Sequence, residues 1–154
     1  MKQSFFFRFT IIVLTVFCAI SCISEDLEGN WDPIQVDREH PMLLFSVAGG
    51  CDTIRLLNYE GWDLIEVMEE VDGFDYVNDE YRTTMIYRHP DKNGDVSTRN
   101  VITGEWYSVQ IPEENRKVLV VQCNENVSNF LRNLTISVVV GDVEGKVYVQ
   151  QYYN

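Results

Sequence analysis

From Pro41 to the C-terminus, apolar side chains recur at every second position in short runs cut apart by turn residues. A period of two sends successive side chains to opposite faces of a strand, and a helix cannot use it. Residues 42–47 form an apolar run that Gly49-Gly50 breaks. Ile54 and Leu56 alternate with Thr53 and Arg55, and residues 64–68 are a third apolar stretch. Residues 82–88 and 96–103 flank Pro90-Asp91-Lys92-Asn93-Gly94, and Asn-Gly between two such runs signals a hairpin. Tyr107, Val109 and Ile111 alternate with Trp106, Ser108 and Gln110, and residues 118–123 are rich in β-branched side chains. Ile136, Val138 and Val140 alternate with Thr135, Ser137 and Val139, and Val147 and Val149 with Tyr148 and Gln150. About eight short strands, with no helical pattern of about 10–12 residues, predict an all-β antiparallel β-sandwich. Residues 60–80 break the pattern. They hold nine acidic residues and no Lys or Arg, and read as a loop or irregular insertion.

The N-terminus sets an address. Lys2 and Arg8 precede an apolar run from Phe9 to Ile20, and small residues follow. This is the layout of a secretory signal, shorter than the roughly 20 apolar residues that a membrane-spanning helix needs. Ala19-Ile20-Ser21-Cys22 resembles the lipobox of bacterial lipoproteins. The resemblance implies cleavage after Ser21 and acylation of Cys22, so that a lipid anchor holds the chain at a membrane. Glu25-Asp26 just beyond resembles the acidic export signal of Bacteroidetes surface lipoproteins. The expected location is the outer membrane, surface-exposed or facing the periplasm. Residues 1–21 are then the signal, 22–40 the lipidated end with a flexible tether, and 41–154 the sandwich.

The chain carries 12 Lys and Arg against 24 Asp and Glu, a formal charge of −12. Loss of the signal removes Lys2 and Arg8 and no acid, so the mature chain is more acidic still. Such a surface repels phosphate backbones and excludes nucleic acid as a partner. It also repels anionic lipid, leaving the anchor as the membrane contact. With Cys18 lost and Cys22 acylated, Cys51 and Cys123 remain, and an oxidising compartment would let them pair. Strand phase opposes the pairing, since Cys51 sides with Thr53 and Arg55 and Cys123 with Leu119 and Val121. A bulge at Gly49-Gly50 would reverse that argument.

Phe45-Ser46-Val47-Ala48-Gly49-Gly50, the strand over 53–57, Asn58 and Trp62 resemble the opening of the BACON domain (Bacteroidetes-associated carbohydrate-binding, often N-terminal). Trp106 with the alternating Tyr107, Val109 and Ile111 resembles its second tryptophan strand. Residues 118–121 with Asn124, then Arg132-Asn133 before Ile136, resemble its next hairpin, and Val147-Tyr148-Val149-Gln150 its closing strand. The resemblance implies an immunoglobulin-like sandwich of about 7–8 strands. It implies a role in contacting carbohydrate or mucin beside glycan-degrading enzymes, or as a spacer or protein-interaction subunit of an outer-membrane assembly. Residues 68–104 are longer than the family's link between its tryptophan strands and read as an insertion with an added hairpin.

Sugar contact needs exposed aromatic faces with hydroxyl-bonding groups nearby. Trp106 shares a strand side with Ser108 and Gln110, away from Tyr107, Val109 and Ile111, and is the leading candidate. Tyr76 and Tyr81, in the acidic insertion, are candidates to join it. The alternative is that Trp106 packs beneath the added hairpin. Trp62 reads as core. Asp91-Lys92-Asn93-Gly94-Asp95 starts like an EF-hand loop, but Val96 and Ile102 stand where that loop needs Gly and Glu. The cluster Asp72, Asp75, Asp79 and Glu80 reads as a solvated acidic loop. No cofactor or metal is expected. Catalysis lacks a nucleophile elbow or phosphate loop, and His40 and His89 stand apart from any such motif. Asn126-Val127-Ser128 and Asn133-Leu134-Thr135 have the form of sequons that mean nothing behind a bacterial signal.

Overall fold

The alternating runs become nine strands. They are β1 (Met42–Phe45), β2 (Gly50–Arg55), β3 (Asp63–Asp75), β4 (Glu80–Arg88), β5 (Val101–Thr103), β6 (Tyr107–Gln110), β7 (Val118–Cys123), β8 (Arg132–Val140) and β9 (Val143–Gln151). The computed structural model describes residues 31–75, 80–93 and 99–153, the side chains of 73–75 and 80–82 excepted. The chain divides into two units, Met1–Trp31 and Asp32–Asn154, and the strands all lie in the second.

Two sheets form the sandwich. One has the order β1-β9-β8-β3-β4 and the other β2-β7-β6-β5. Neighbours are antiparallel except β1 and β9, which run parallel. Successive strands β1 and β2 belong to different sheets, so the link between them must turn sharply across the edge. Gly49 and Gly50 make that turn with φ of 71° and 136°, a region closed to most L-residues. A Cβ on Gly49 would lie 2.7 Å from the Asn124 carbonyl oxygen.

The inner faces carry the core. Leu43, Ile54, Leu56, Trp62, Val67, Val109, Leu119, Val121, Ile136 and Val138 are all buried, as the period-two pattern predicts. Two of the buried amides are matched by hydrogen bonds. Gln151 donates through Nε2 to the Asn124 carbonyl at 2.7 Å and to the Ser46 carbonyl at 3.3 Å. Asn126 donates through Nδ2 to the Phe130 and Tyr152 carbonyls at 2.9 and 3.0 Å. Its Oδ1 accepts from the Ser128 N–H and hydroxyl.

Three sequence expectations change. Residues 60–80 are not an irregular loop: β3 runs thirteen residues and pairs with β4 in one long hairpin. Among the described residues β4 and β5 do not pair as the Asn93-Gly94 hairpin requires, because β5 takes β6 in the other sheet; residues 94–98 lie outside the described set. Residues 68–104 are therefore strands of both sheets and the crossing between them, not an appendage. The expected tether also ends early. Residues from Asp32 belong to the sandwich unit, where Ile34 and Val36 pack on the core and Val36 bridges to Leu56.

Among the described residues Cys51 and Cys123 are free. Gly50 stands opposite Cys123 and Cys51 opposite Gln122, so the two thiols sit one step out of register. Cys51 is exposed and Cys123 buried, as the phase argument requires and against the alternative of a disulfide.

Candidate functional site

Trp106 does not offer a stacking face. It is 7% exposed, and each side of it is occupied. The Arg132 guanidinium lies over its ring, 5.0 Å from the centroid, a cation–π arrangement. Tyr107 meets it edge-on with centroids 5.0 Å apart. Its indole N–H donates to Glu69 Oε1 at 2.5 Å. Sequence alternation fails here because Trp106 precedes the β6 ladder. The Tyr107 carbonyl accepts from the Gly104 N–H and the Trp106 carbonyl from the Asn124 N–H, and this turn buries both rings. Trp106 is buried, as the alternative reading has it, but against Glu69 of β3, Arg132 of β8 and Tyr107 rather than beneath the added hairpin.

Glu69 is the residue that sequence reasoning missed. It sits on β3 in phase with the buried Val67 and is only 4% exposed. Its Oε2 faces Arg88 Nε of β4 at 3.8 Å, an ion pair too long for a hydrogen bond. Those two atoms and the Tyr107 hydroxyl are buried without a hydrogen-bond partner. Burial pushes the Tyr107 phenol up to about 12, the Glu69 charge adds to the rise, and Arg88 opposes it. The available signal was a carboxylate in an apolar phase, which calls for a buried donor. A groove of about 370 Å³ is lined by Glu69, Arg88 and Trp106 of this cluster together with Ile86, Phe130 and Arg132. The unpartnered atoms are buried beneath its surface, and the contacts among Glu69, Arg88 and Trp106 tie the long hairpin to the sandwich.

Tyr76 lies outside the described residues, as does Cys22. Tyr81 stands opposite Phe74 in the β3–β4 ladder, and its side chain is outside the described set. Asp91 caps the Asn93 N–H at 2.9 Å and Asp72 accepts from the Thr83 hydroxyl at 2.6 Å. Among the described residues no group of three His, Cys, Asp or Glu is arranged to hold a metal. A larger groove of about 650 Å³ runs past Asp63, Ile65, His89, Lys92 and Asn100, and no Phe, Tyr or Trp lines it among the described residues.

Exposed aromatics lie elsewhere: Trp31, Phe130, Tyr152 and Tyr153 outside the strands, and Tyr87 and Tyr148 on the outer face of the five-stranded sheet. Met42 stands opposite Tyr148, Tyr148 opposite Thr135, Thr135 opposite Met68 and Met68 opposite Tyr87. Directly opposed residues share a face, so these five form one row across the whole sheet. Tyr148 is 43% exposed and Tyr87 56%. A second row runs beside it through Leu44, Gln150, Asn133, Glu70 and Met85. Gln150 donates to Asn133 Oδ1 at 3.3 Å and Asn133 donates to Glu70 Oε2 at 3.1 Å. An apolar and aromatic row flanked by a ladder of amides and a carboxylate is open to solvent, and contiguous patches of this kind mark interaction sites.

No family model matches the chain, and no curated protein matches it. Among solved structures it is similar to the NMR structure of a protein from Bacteroides thetaiotaomicron, with a TM-score of 0.56 and 21% identity over 86% of this chain and 98% of that one. That likeness shows the β-sandwich fold. A Bacteroides ovatus GH5 xyloglucanase, solved with a XXXG heptasaccharide, aligns with a TM-score of 0.40 and 12% identity over 79% of this chain and 19% of that chain.

Proposed function

We propose that this chain is an exported, lipid-anchored lipoprotein whose BACON-like sandwich contacts carbohydrate without catalysis. The observation that carries the reading is the row from Met42 to Tyr87, in register across the five-stranded sheet, with Met42, Tyr148 and Tyr87 exposed and Thr135 and Met68 half-buried between them. Pyranose C–H groups stack on phenol rings, and the amide ladder beside the row supplies hydroxyl partners. Trp106 leaves the candidate set, and Tyr87 and Tyr148 replace it. Single contacts of this size are weak, so anchored copies act by avidity.

The test is binding of the full chain, purified in detergent and coated on beads, to a panel of glycans and mucins. Tyr87→Ala combined with Tyr148→Ala removes binding if the row is the site. Retention of binding moves the site, and absence of binding by a folded parent overturns the reading.

A second reading, a protein-interaction subunit, draws on β4. Among the described residues this nine-residue strand pairs on one side with β3 and forms the sheet edge. An open edge accepts an added strand.

A further inference from the structure

Resting on the carbohydrate reading, we infer that the ligand is a neutral, extended oligosaccharide lying across the strands of the five-stranded sheet, spanning Tyr148 and Tyr87. Three inter-strand steps separate the two tyrosines, from β9 through β8 and β3 to β4. At a spacing of about 4.8 Å that is about 14 Å, longer than a single sugar ring. Thr135 and Met68 continue the row between them, so the path is unbroken. The ladder of Gln150, Asn133 and Glu70 runs parallel to it one row away. A chain following the row therefore meets hydroxyl partners along its length.

Charge selects the ligand class. The outer face presents Glu66, Glu70, Asp72 and Glu144, with Lys146 as the basic residue among its described strand positions. Sulfated or sialylated chains are repelled there. A second copy of this chain would bring one acidic face onto another, and an anionic lipid surface is disfavoured for the same reason. A neutral polyol meets no such penalty, and Glu70 accepts its hydroxyl protons.

The experiment measures affinity of the bead-bound full chain for neutral linear oligosaccharides of increasing length, beside sulfated chains of equal length. Affinity is expected to rise about tenfold once the ligand spans both rings, the scale of one aromatic contact. Tyr87→Ala and Tyr148→Ala are each expected to remove that gain, and Tyr87→Trp to keep it. Both side chains are exposed, so unchanged melting curves verify that the variants fold. Equal affinity for short and long chains, or tighter binding of the sulfated chains, overturns this inference while leaving a carbohydrate-contact role. Failure of the folded chain to bind any member overturns both.

Discussion

The buried Glu69–Arg88 pair allows a quantitative test of what holds the long hairpin to the sandwich. At 3.8 Å and an effective dielectric of about 20, two unit charges attract by about 4 kcal/mol. Arg88 is 35% exposed on its side chain and Glu69 only 6%, so water screens the arginine end and about 2 kcal/mol survives. Removing Arg88 leaves a carboxylate in the core with the Trp106 N–H and only the charge of Arg132 nearby. Arg88→Met is therefore expected to cost about 2–3 kcal/mol, below the 3–5 typical of fully buried pairs. Glu69→Gln keeps an oxygen for the indole N–H and frees an arginine that can reach water, at about 1 kcal/mol. The double variant buries no charge and still satisfies Trp106, so it is expected to cost about 1 kcal/mol, giving a coupling of about 2–3 kcal/mol. Urea titration at neutral pH reads all three, with an unchanged m-value verifying that the same surface is exposed. If the two single costs add to within about 0.5 kcal/mol in the double variant, the pair contributes nothing through charge and the account is wrong.

Further outcomes follow from other parts of the fold. Gly49→Ala, forced to φ of 71° with its Cβ against the Asn124 carbonyl, is expected to cost more than about 2 kcal/mol. Gly50→Ala meets open space and carries only the backbone penalty of about 1 kcal/mol; equal midpoints for the two in a urea melt would refute the close approach. Stability is expected to fall as the pH rises. The Tyr107 phenol goes from 10.0 to about 12, mainly by burial, and the Cys123 thiol from 9.0 to about 12, again mainly by burial. The unfolded chain releases these protons first, so their contribution is full below about pH 9 and lost between about 9 and 12. Cys123→Ala should flatten the early part of that loss in thermal melts, and an unchanged slope would contradict the burial of the thiol. Finally, with Cys51 exposed and Cys123 buried, a thiol reagent should label Cys51 in the native state and Cys123 only after unfolding. Reductant should leave the melting point unchanged; a shift would reveal a bond between them.

How far the sequence reaches depends on which force shapes each part. Strands β1, β2 and β6–β9 are legible because one face of each is buried, and burial writes an alternating pattern. β4 is legible as the run over 82–88 but its partner is not, and the later part of β3 is missed because past Val71 the pairing is carried by main-chain bonds and polar side chains such as Asp72 with Thr83, which leave no apolar rhythm. The Asn93-Gly94 signal misleads for a related reason. Local turn chemistry is overridden because β5, the partner it would give to β4, pairs with β6 in the other sheet. Trp106 shows the limit of phase at a strand end, since the turn from Gly104 to Tyr107 breaks the alternation before β6 starts. The aromatic row is hidden differently. Alternation reveals that Tyr148, Thr135 and Met68 point away from the core. It cannot reveal that β9, β8, β3 and β4 are neighbours in that order. Strand order is fixed by contacts between residues as distant as Met42 and Tyr148, so the site exists as a surface only after the sandwich has closed. A binding face assembled from such distant strands is also robust to loop variation. Substitutions in the turns leave its register untouched, whereas a one-residue slip of β3 against β8 would move Met68 off the row and turn Glu69 out of the core.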